Sequence, residues 1–198
     1  MQSHATCPFQ QLLSQSEEKP VRRANKRVHD PRQIEALLTK ARTGCLGLVD
    51  TDGTYVVPLN YVWKDEKIYF HGSEAGRKFD ALQKPLNLCF TVMAEQGTVV
   101  SSIPAHIGTA YFSVMVFGHI RQVTTITEST AVLQAMLDKY VPEYFSNPLS
   151  SSHVERYRSS MGSKTIVFAL EPETITAKED SAPVEKLFYP GRKVEQDL

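Results

Sequence analysis

Residues 71–78 read His-Gly-Ser-Glu-Ala-Gly-Arg-Lys, the one run where glycines, a hydroxyl, an imidazole and two cations crowd together. A helix that starts near Ser73 or Gly76 carries Arg77 and Lys78 in its first turn. Cations are unfavourable there, because the free N–H groups already give a helix N-terminus about half a positive charge. An anion removes the conflict: amides, the Ser73 hydroxyl, a guanidinium and an ammonium together form a receptor for phosphate. The plainer alternative is that both side chains extend into water with Glu74 offsetting them, and the local pattern leaves the two open. His71, one residue ahead of Gly72, can cap a strand end or exchange a proton near neutral pH.

These residues need supports on their N-terminal side. From Thr54 to Trp63 the residues Tyr55, Val57, Leu59, Tyr61 and Trp63 alternate with the others, which predicts one long strand. Lys64-Asp65-Glu66-Lys67 predicts a polar turn, and Ile68-Tyr69-Phe70-His71 a returning strand with His71 on the side of Tyr69. Phe79 and Leu82 then begin a helix.

Other chemistries find little purchase. There is no GxSxG, no GxGxxG after a strand, and the histidines at 4, 29, 71, 106, 119 and 153 show no metal-ligand spacing. With 22 basic against 22 acidic residues in 198, the chain lacks the basic footprint of a nucleic-acid binder. Apolar runs are strand-length, so no membrane span is expected, and the first ten residues lack the apolar core of a secretory signal. Cys7, Cys45 and Cys89 form no CxxC or even-numbered framework. Reduced thiols in a cytoplasmic protein fit this usage, with Cys45 and Cys89 expected as small core residues.

Five ordered segments carry a resemblance. They are Tyr55-Val56-Val57-Pro58-Leu59-Asn60, Ile68-Tyr69-Phe70-His71, Gly76-Arg77-Lys78, Lys84-Pro85-Leu86-Asn87-Leu88-Cys89-Phe90, and Ser113-Val114-Met115-Val116-Phe117-Gly118. Together, over about 65 residues, they resemble the nitroimidazole-resistance (Nim) proteins, which belong to the pyridoxamine 5′-phosphate oxidase-like, FMN-binding split β-barrels. The resemblance implies an α+β fold: an antiparallel split β-barrel with a few peripheral helices.

It also implies an FMN-dependent oxidoreductase acting on a small, nitroaromatic-like substrate. The FMN phosphate would meet Arg77, Lys78 and the backbone after Gly72. The ring would lie along Val57, Pro58, Leu59 and Asn60, with Phe70, His71, Gly72 and Ser73 completing the near wall. His71 is the implied catalytic residue. Tyr111, Ser113 and Val114, on a strand near the dimer interface of the family, would complete the pocket across a homodimer. Without the resemblance, that strand reads as an ordinary barrel strand. The alternative function is a non-catalytic flavin- or haem-binding protein, since fold does not fix activity.

The remaining chain supplies the frame. Residues 1–24 read as a mobile arm in which Phe9, Leu12 and Leu13 are candidates to dock, residues 25–177 as the barrel domain, and 178–198 as a charged tail. Arg22, Arg23, Lys26 and Arg27 form a basic cluster, read as solvated or as a contact to phosphate or a partner. Asp30-Pro31 opens a helix with an apolar stripe at Ile34, Leu37, Leu38 and Ala41, ended by Gly44. Strands are expected at 45–49, 88–93, 98–100, 110–123 and 165–170, with Gly118 marking a bulge or close approach. A helix capped by Thr127 carries Leu133, Met136, Leu137 and Tyr140, and another helix spans 152–160.

Overall fold

The computed structural model describes residues 9, 12–13, 22–83, 87–160 and 162–198. Most of the expected 1–24 arm and the break at Lys84-Pro85 lie outside the described residues. Seven antiparallel strands follow one another: β1 (Thr43–Asp50), β2 (Gly53–Asn60), β3 (Val62–Lys64), β4 (Lys67–Ser73), β5 (Asn87–Val99), β6 (Gly108–Gln122) and β7 (Thr165–Asp180). They form one sheet in the order β2-β1-β5-β6-β7-β4-β3. Its two outermost strands, β2 and β3, are consecutive in the chain, so the sheet curls until its ends meet at Tyr61. This is the split barrel, and helices α1 (Pro31–Lys40), α2 (Arg77–Leu82), α3 (Ile126–Tyr140) and α4 (Ser151–Arg156) lie around it.

The strand expected from Thr54 to Trp63 is therefore two. Alternation holds along β2, where Tyr55, Val57 and Leu59 face inward while Thr54, Val56, Pro58 and Asn60 are exposed. It ends at Tyr61, where the chain leaves one edge of the sheet for the other. That crossing has no ladder to satisfy its backbone, and a tyrosine from α3 substitutes. The Tyr140 hydroxyl accepts from Tyr61 N–H at 2.8 Å and lies within reach of two carbonyls, Tyr61 at 2.9 Å and Arg42. Lys139 adds a bond from Nζ to the Tyr61 carbonyl at 3.1 Å and lies 4.2 Å from the Tyr61 ring centroid. Burial, with Arg42 nearby, pulls the Lys139 pKa down to about 8.

Aromatic and branched side chains fill the barrel. Tyr61, Phe70, Phe90 and Phe168 are fully buried, with Tyr61 edge-on to Phe90 at 4.9 Å and Phe70 stacked on Phe168 at 5.4 Å. Helix α1 contributes Ile34, Leu37 and Leu38, and packs against β3, β5 and β6. Its start follows expectation, since Asp30 accepts from Arg32 N–H at 2.9 Å and Pro31 holds the first position. Phe9 docks as well, 5% exposed and 5.7 Å from the Trp63 ring.

Several expectations are corrected. Gly44 does not end the helix; it lies in β1, where a Cβ would sit 2.2 Å from the Phe90 ring. Cys45 faces outward and is exposed, and Cys89 is only partly covered. The helix cap is Thr125 rather than Thr127, and the fourth helix spans Ser151–Arg156 rather than 152–160. Residues 88–100 do not form two strands: β5 is continuous, with a bulge at Gln96 between the paired Glu95 and Gly97. Strand β7 runs straight through Pro172, because a register shift at Gly118 places the proline where the ladder is already interrupted. A Cβ at Gly118 would sit 2.0 Å from the Glu171 carbonyl oxygen, so the bulge requires glycine there.

The C-terminal residues are tied to the barrel and to one another. β7 extends to Asp180, Leu187 bridges to Val99, and Arg192 pairs with Asp197 while donating to the Glu185 and Leu187 carbonyls. Within the basic cluster, Lys26 pairs with Asp180 at the end of β7. Among the described residues no helix is long and apolar enough to cross a membrane.

Candidate functional site

The period of two along β4 divides its work. Ile68 and Phe70 enter the barrel, whereas Tyr69 and His71 face outward beneath α3. At the end of β4 the chain turns through Ser73, whose Oγ accepts from Ala75 N–H at 3.2 Å, and Gly76 at φ 99° leads into α2. No side chain caps α2, so its first amides keep their donors free of a side-chain partner.

Arg77 and Lys78, adjacent in sequence, part company here. Arg77 turns back to the β1–β2 hairpin, where its Nε donates to Asp50 Oδ2 at 2.5 Å and its guanidinium stacks 4.4 Å from the Tyr55 centroid. Asp50 is held below the usual carboxylate range, chiefly by this bond. The hollow beside Arg77 is lined by Asp50, Asp52 and Asp80, which makes that side a poor place for an anion.

Lys78 goes the other way. It lies across Gly72, with Cε and Nζ both 3.0 Å from where a Gly72 Cβ would stand, so the glycine makes room for it. Its ammonium is 5.8 Å from the Phe70 ring and has no carboxylate partner among the described residues. Partial burial lowers its pKa. A half-covered, unpaired ammonium beside glycine amides is the feature that an anion would complete.

His71 stands next to Lys78 and at the edge of a cavity of about 320 Å³ under α3 and α4. Part of its ring meets solvent, yet crowding strips enough water that loss of hydration, with repulsion from Lys78, lowers its pKa. Its Nδ1 lies 3.3 Å from Met136 Sδ. Met136, His153 and Tyr157, which share this cavity, were not singled out for chemistry by sequence pattern; only their placement against His71 reveals them.

The other expected site residues fall into two groups. Pro58 and Asn60 are exposed on β2, an edge strand whose outer backbone groups are unpaired by the sheet. With a rise of about 3.4 Å per residue they lie roughly 10–17 Å beyond Tyr55 and its Arg77. Tyr111 and Ser113 face outward from β6. The side chains of Val57, Leu59, Phe70 and Val114 instead point into the barrel. For Val57 and Leu59 the edge backbone remains available, but Val114 is fully buried and its strand is paired on both sides, with β5 and β7. The structure therefore brings His71, Gly72 and Lys78 into one contact set and does not bring the Val114 side chain to it.

A family model described as pyridoxamine 5′-phosphate oxidase matches residues 30–179, more than half of the chain. The chain belongs to the pyridoxamine 5′-phosphate oxidase family. The motif resemblance is borne out at that level. No curated protein is significantly similar to this family member. Among solved structures, the flavocytochrome Anf3 from Azotobacter vinelandii aligns over 85% of this chain and 76% of its own, with 22% identity and a TM-score of 0.72. A candidate 5-nitroimidazole antibiotic resistance protein from Bacteroides thetaiotaomicron aligns over 77% and 85%, with 23% identity and a TM-score of 0.61. The FAD and haem binding protein from Mycobacterium smegmatis covers 79% and 74%, with 18% identity and a TM-score of 0.64. At these identities the likeness shows the oxidase-family split barrel, a fold whose known members include flavin binders, and nothing finer.

Proposed function

We propose that this chain is an FMN-dependent oxidoreductase that reduces a small organic substrate, nitroaromatic compounds being the first to test. The observation that carries the reading is Lys78, an unpaired, half-covered ammonium laid over Gly72 and next to His71. The residues fit the group. Lys78, the amides after Gly72 and the uncapped start of α2 would hold the phosphate, and the exposed edge of β2 from Pro58 to Asn60 would run beside the ring. When bound, FMN supplies the electrons. His71 supplies the proton-transfer group at the edge of the substrate cavity. In its neutral form it accepts a proton or hydrogen bond, and donation to a nitro group requires it to be protonated first.

Homodimer assembly belongs to the same proposal. Rows of outward residues cross the sheet in register, Pro58–Cys45–Thr91–Met115 and Val56–Gly47–Cys89–Phe117. Val49, Val56 and Met93 on this face are 55%, 58% and 59% exposed, an apolar surface suited to a two-fold contact that would bring Tyr111 and Ser113 to a shared pocket. Sedimentation as a monomer at micromolar concentration would remove this part.

FMN titration of variants tests the cofactor site. Lys78→Ala should weaken FMN binding by about 1.5–3 kcal/mol, roughly 10- to 150-fold. Arg77→Ala should lose less, because Arg77 is already committed to Asp50. Riboflavin, which lacks the phosphate, should be nearly indifferent to either change. Unchanged FMN affinity in Lys78→Ala overturns the assignment. Turnover of a nitroaromatic with a reduced nicotinamide donor then separates an enzyme from a flavin carrier.

A further inference from the structure

The layer between α3 and the outward side of β3, β4 and β7 is filled only in part. Tyr69, Val167 and Ala169 on the strands pack with Val132 and Met136 on α3. Towards the His71 end this packing gives way to the cavity of about 320 Å³, walled by His71 and Thr165 on the sheet, Met136 and Leu137 on α3, and His153 with Tyr157 around α4. Among the described residues lining it there is no Lys, Arg, Asp or Glu. Its polar side chains are two imidazoles, a phenol and a threonine hydroxyl.

His71 Nδ1 lies 3.3 Å from Met136 Sδ, a geometry that suits the tautomer with its hydrogen on Nδ1. A thioether has no proton to give, so the contact is a hydrogen bond only when Nδ1 carries the hydrogen. Nε2 is then the bare nitrogen and an acceptor. We propose that this cavity is a binding site for an uncharged molecule of one or two rings that donates an O–H or N–H to His71, a phenol being the simplest case.

Size, charge and polarity each narrow the choice. The volume is at the lower end of ligand pockets, about 300–1,000 Å³. An anion would meet no Lys or Arg among the described lining residues, the nearest cation being Lys78 behind His71. Pyridoxamine 5′-phosphate, the compound in the family's description, would bring a phosphate dianion for which the described lining residues offer no Lys or Arg. A nitro compound, which only accepts hydrogen bonds, meets His71 productively only after the ring is protonated. As a substrate site the cavity rests on the flavin reading above; as a binding site it does not.

Calorimetric titration of the full-length protein, with and without FMN, tests the assignment using three probes of similar size. Phenol should bind at roughly millimolar or tighter. Anisole, which lacks the donor, and benzoate, which is charged, should bind about tenfold or more weakly. Leu149 and Val154 also line the cavity, so Val154→Trp or Leu149→Phe should fill it and abolish phenol binding while FMN affinity is unchanged. His71→Leu should weaken phenol about 3- to 10-fold, the usual range for one hydrogen bond. A protein that binds FMN but not phenol refutes the cavity assignment alone. One that binds phenol but not FMN keeps the cavity and ends the flavin reading. Benzoate binding as well as phenol, displacement of phenol by pyridoxamine 5′-phosphate, or a Soret band from added hemin that Val154→Trp abolishes would each overturn it.

Discussion

The inward and outward sides of β4 and β7 are packed differently. Inside the barrel, Phe70 stacks on Phe168 at 5.4 Å and both rings are fully buried. On the outside, one residue from Phe70, His71 borders open space under α3 and α4. A strand can serve both layers because consecutive side chains leave on opposite faces. Packing is continuous in the barrel layer and incomplete in the outer one. Lys78 and His71 belong to the second side, Lys78 half-covered and His71 still reached by solvent.

The largest effect should come from the closed layer. Phe90→Ala removes a fully buried ring that contacts Tyr61 and fills the space against Gly44, and should cost about 3–5 kcal/mol in denaturant unfolding. Leu133→Ala, at the rim of the outer cavity, should cost less than about 2 kcal/mol, below the usual range for a sealed leucine. Similar losses at the two positions would erase the contrast between layers.

An intermediate effect is expected at the seam that joins them. Tyr140→Phe leaves the N–H of the fully buried Tyr61 without its acceptor, a loss of about 1–3 kcal/mol. Hydrogen exchange at the Tyr61 amide should rise in the same variant. Unaltered exchange would show that the crossing is held by Lys139 and packing instead.

The smallest effect is a pH dependence. His71 is faced by Met136 from α3, Lys78 from α2 and His153 across the cavity, with no carboxylate lining the cavity to favour its charged form. Its folded-state pKa lies below the unfolded value of about 6.5, so the unfolded chain binds more protons between the two. The stability from keeping His71 neutral is full above about pH 6.5 and is lost as pH falls towards the folded-state pKa. Wild type and His71→Gln should therefore differ in the pH slope of stability on the acid side only. Parallel slopes would mean that the ring is effectively solvated.

Local pattern determined much of the molecule. The Asp30-Pro31 helix start, the inward run of Tyr55, Val57 and Leu59, the outward placement of His71 with Tyr69, the Gly118 bulge and the family motifs are all short-range regularities, set by turn chemistry and by a period of two or 3.6. The tertiary structure decided the rest, because each outcome depends on a partner far away in the chain. Tyr61 breaks a periodic strand since the sheet closes there and Tyr140, 79 residues on, satisfies its backbone. Cys45 is exposed because nothing among the described residues covers it. Pro172 sits mid-strand because Gly118 across the ladder shifts the register. Arg77 and Lys78 look equivalent in sequence, but Asp50 captures one and Gly72 receives the other. Periodicity specifies which face a side chain leaves from, and only the packed molecule specifies what waits there.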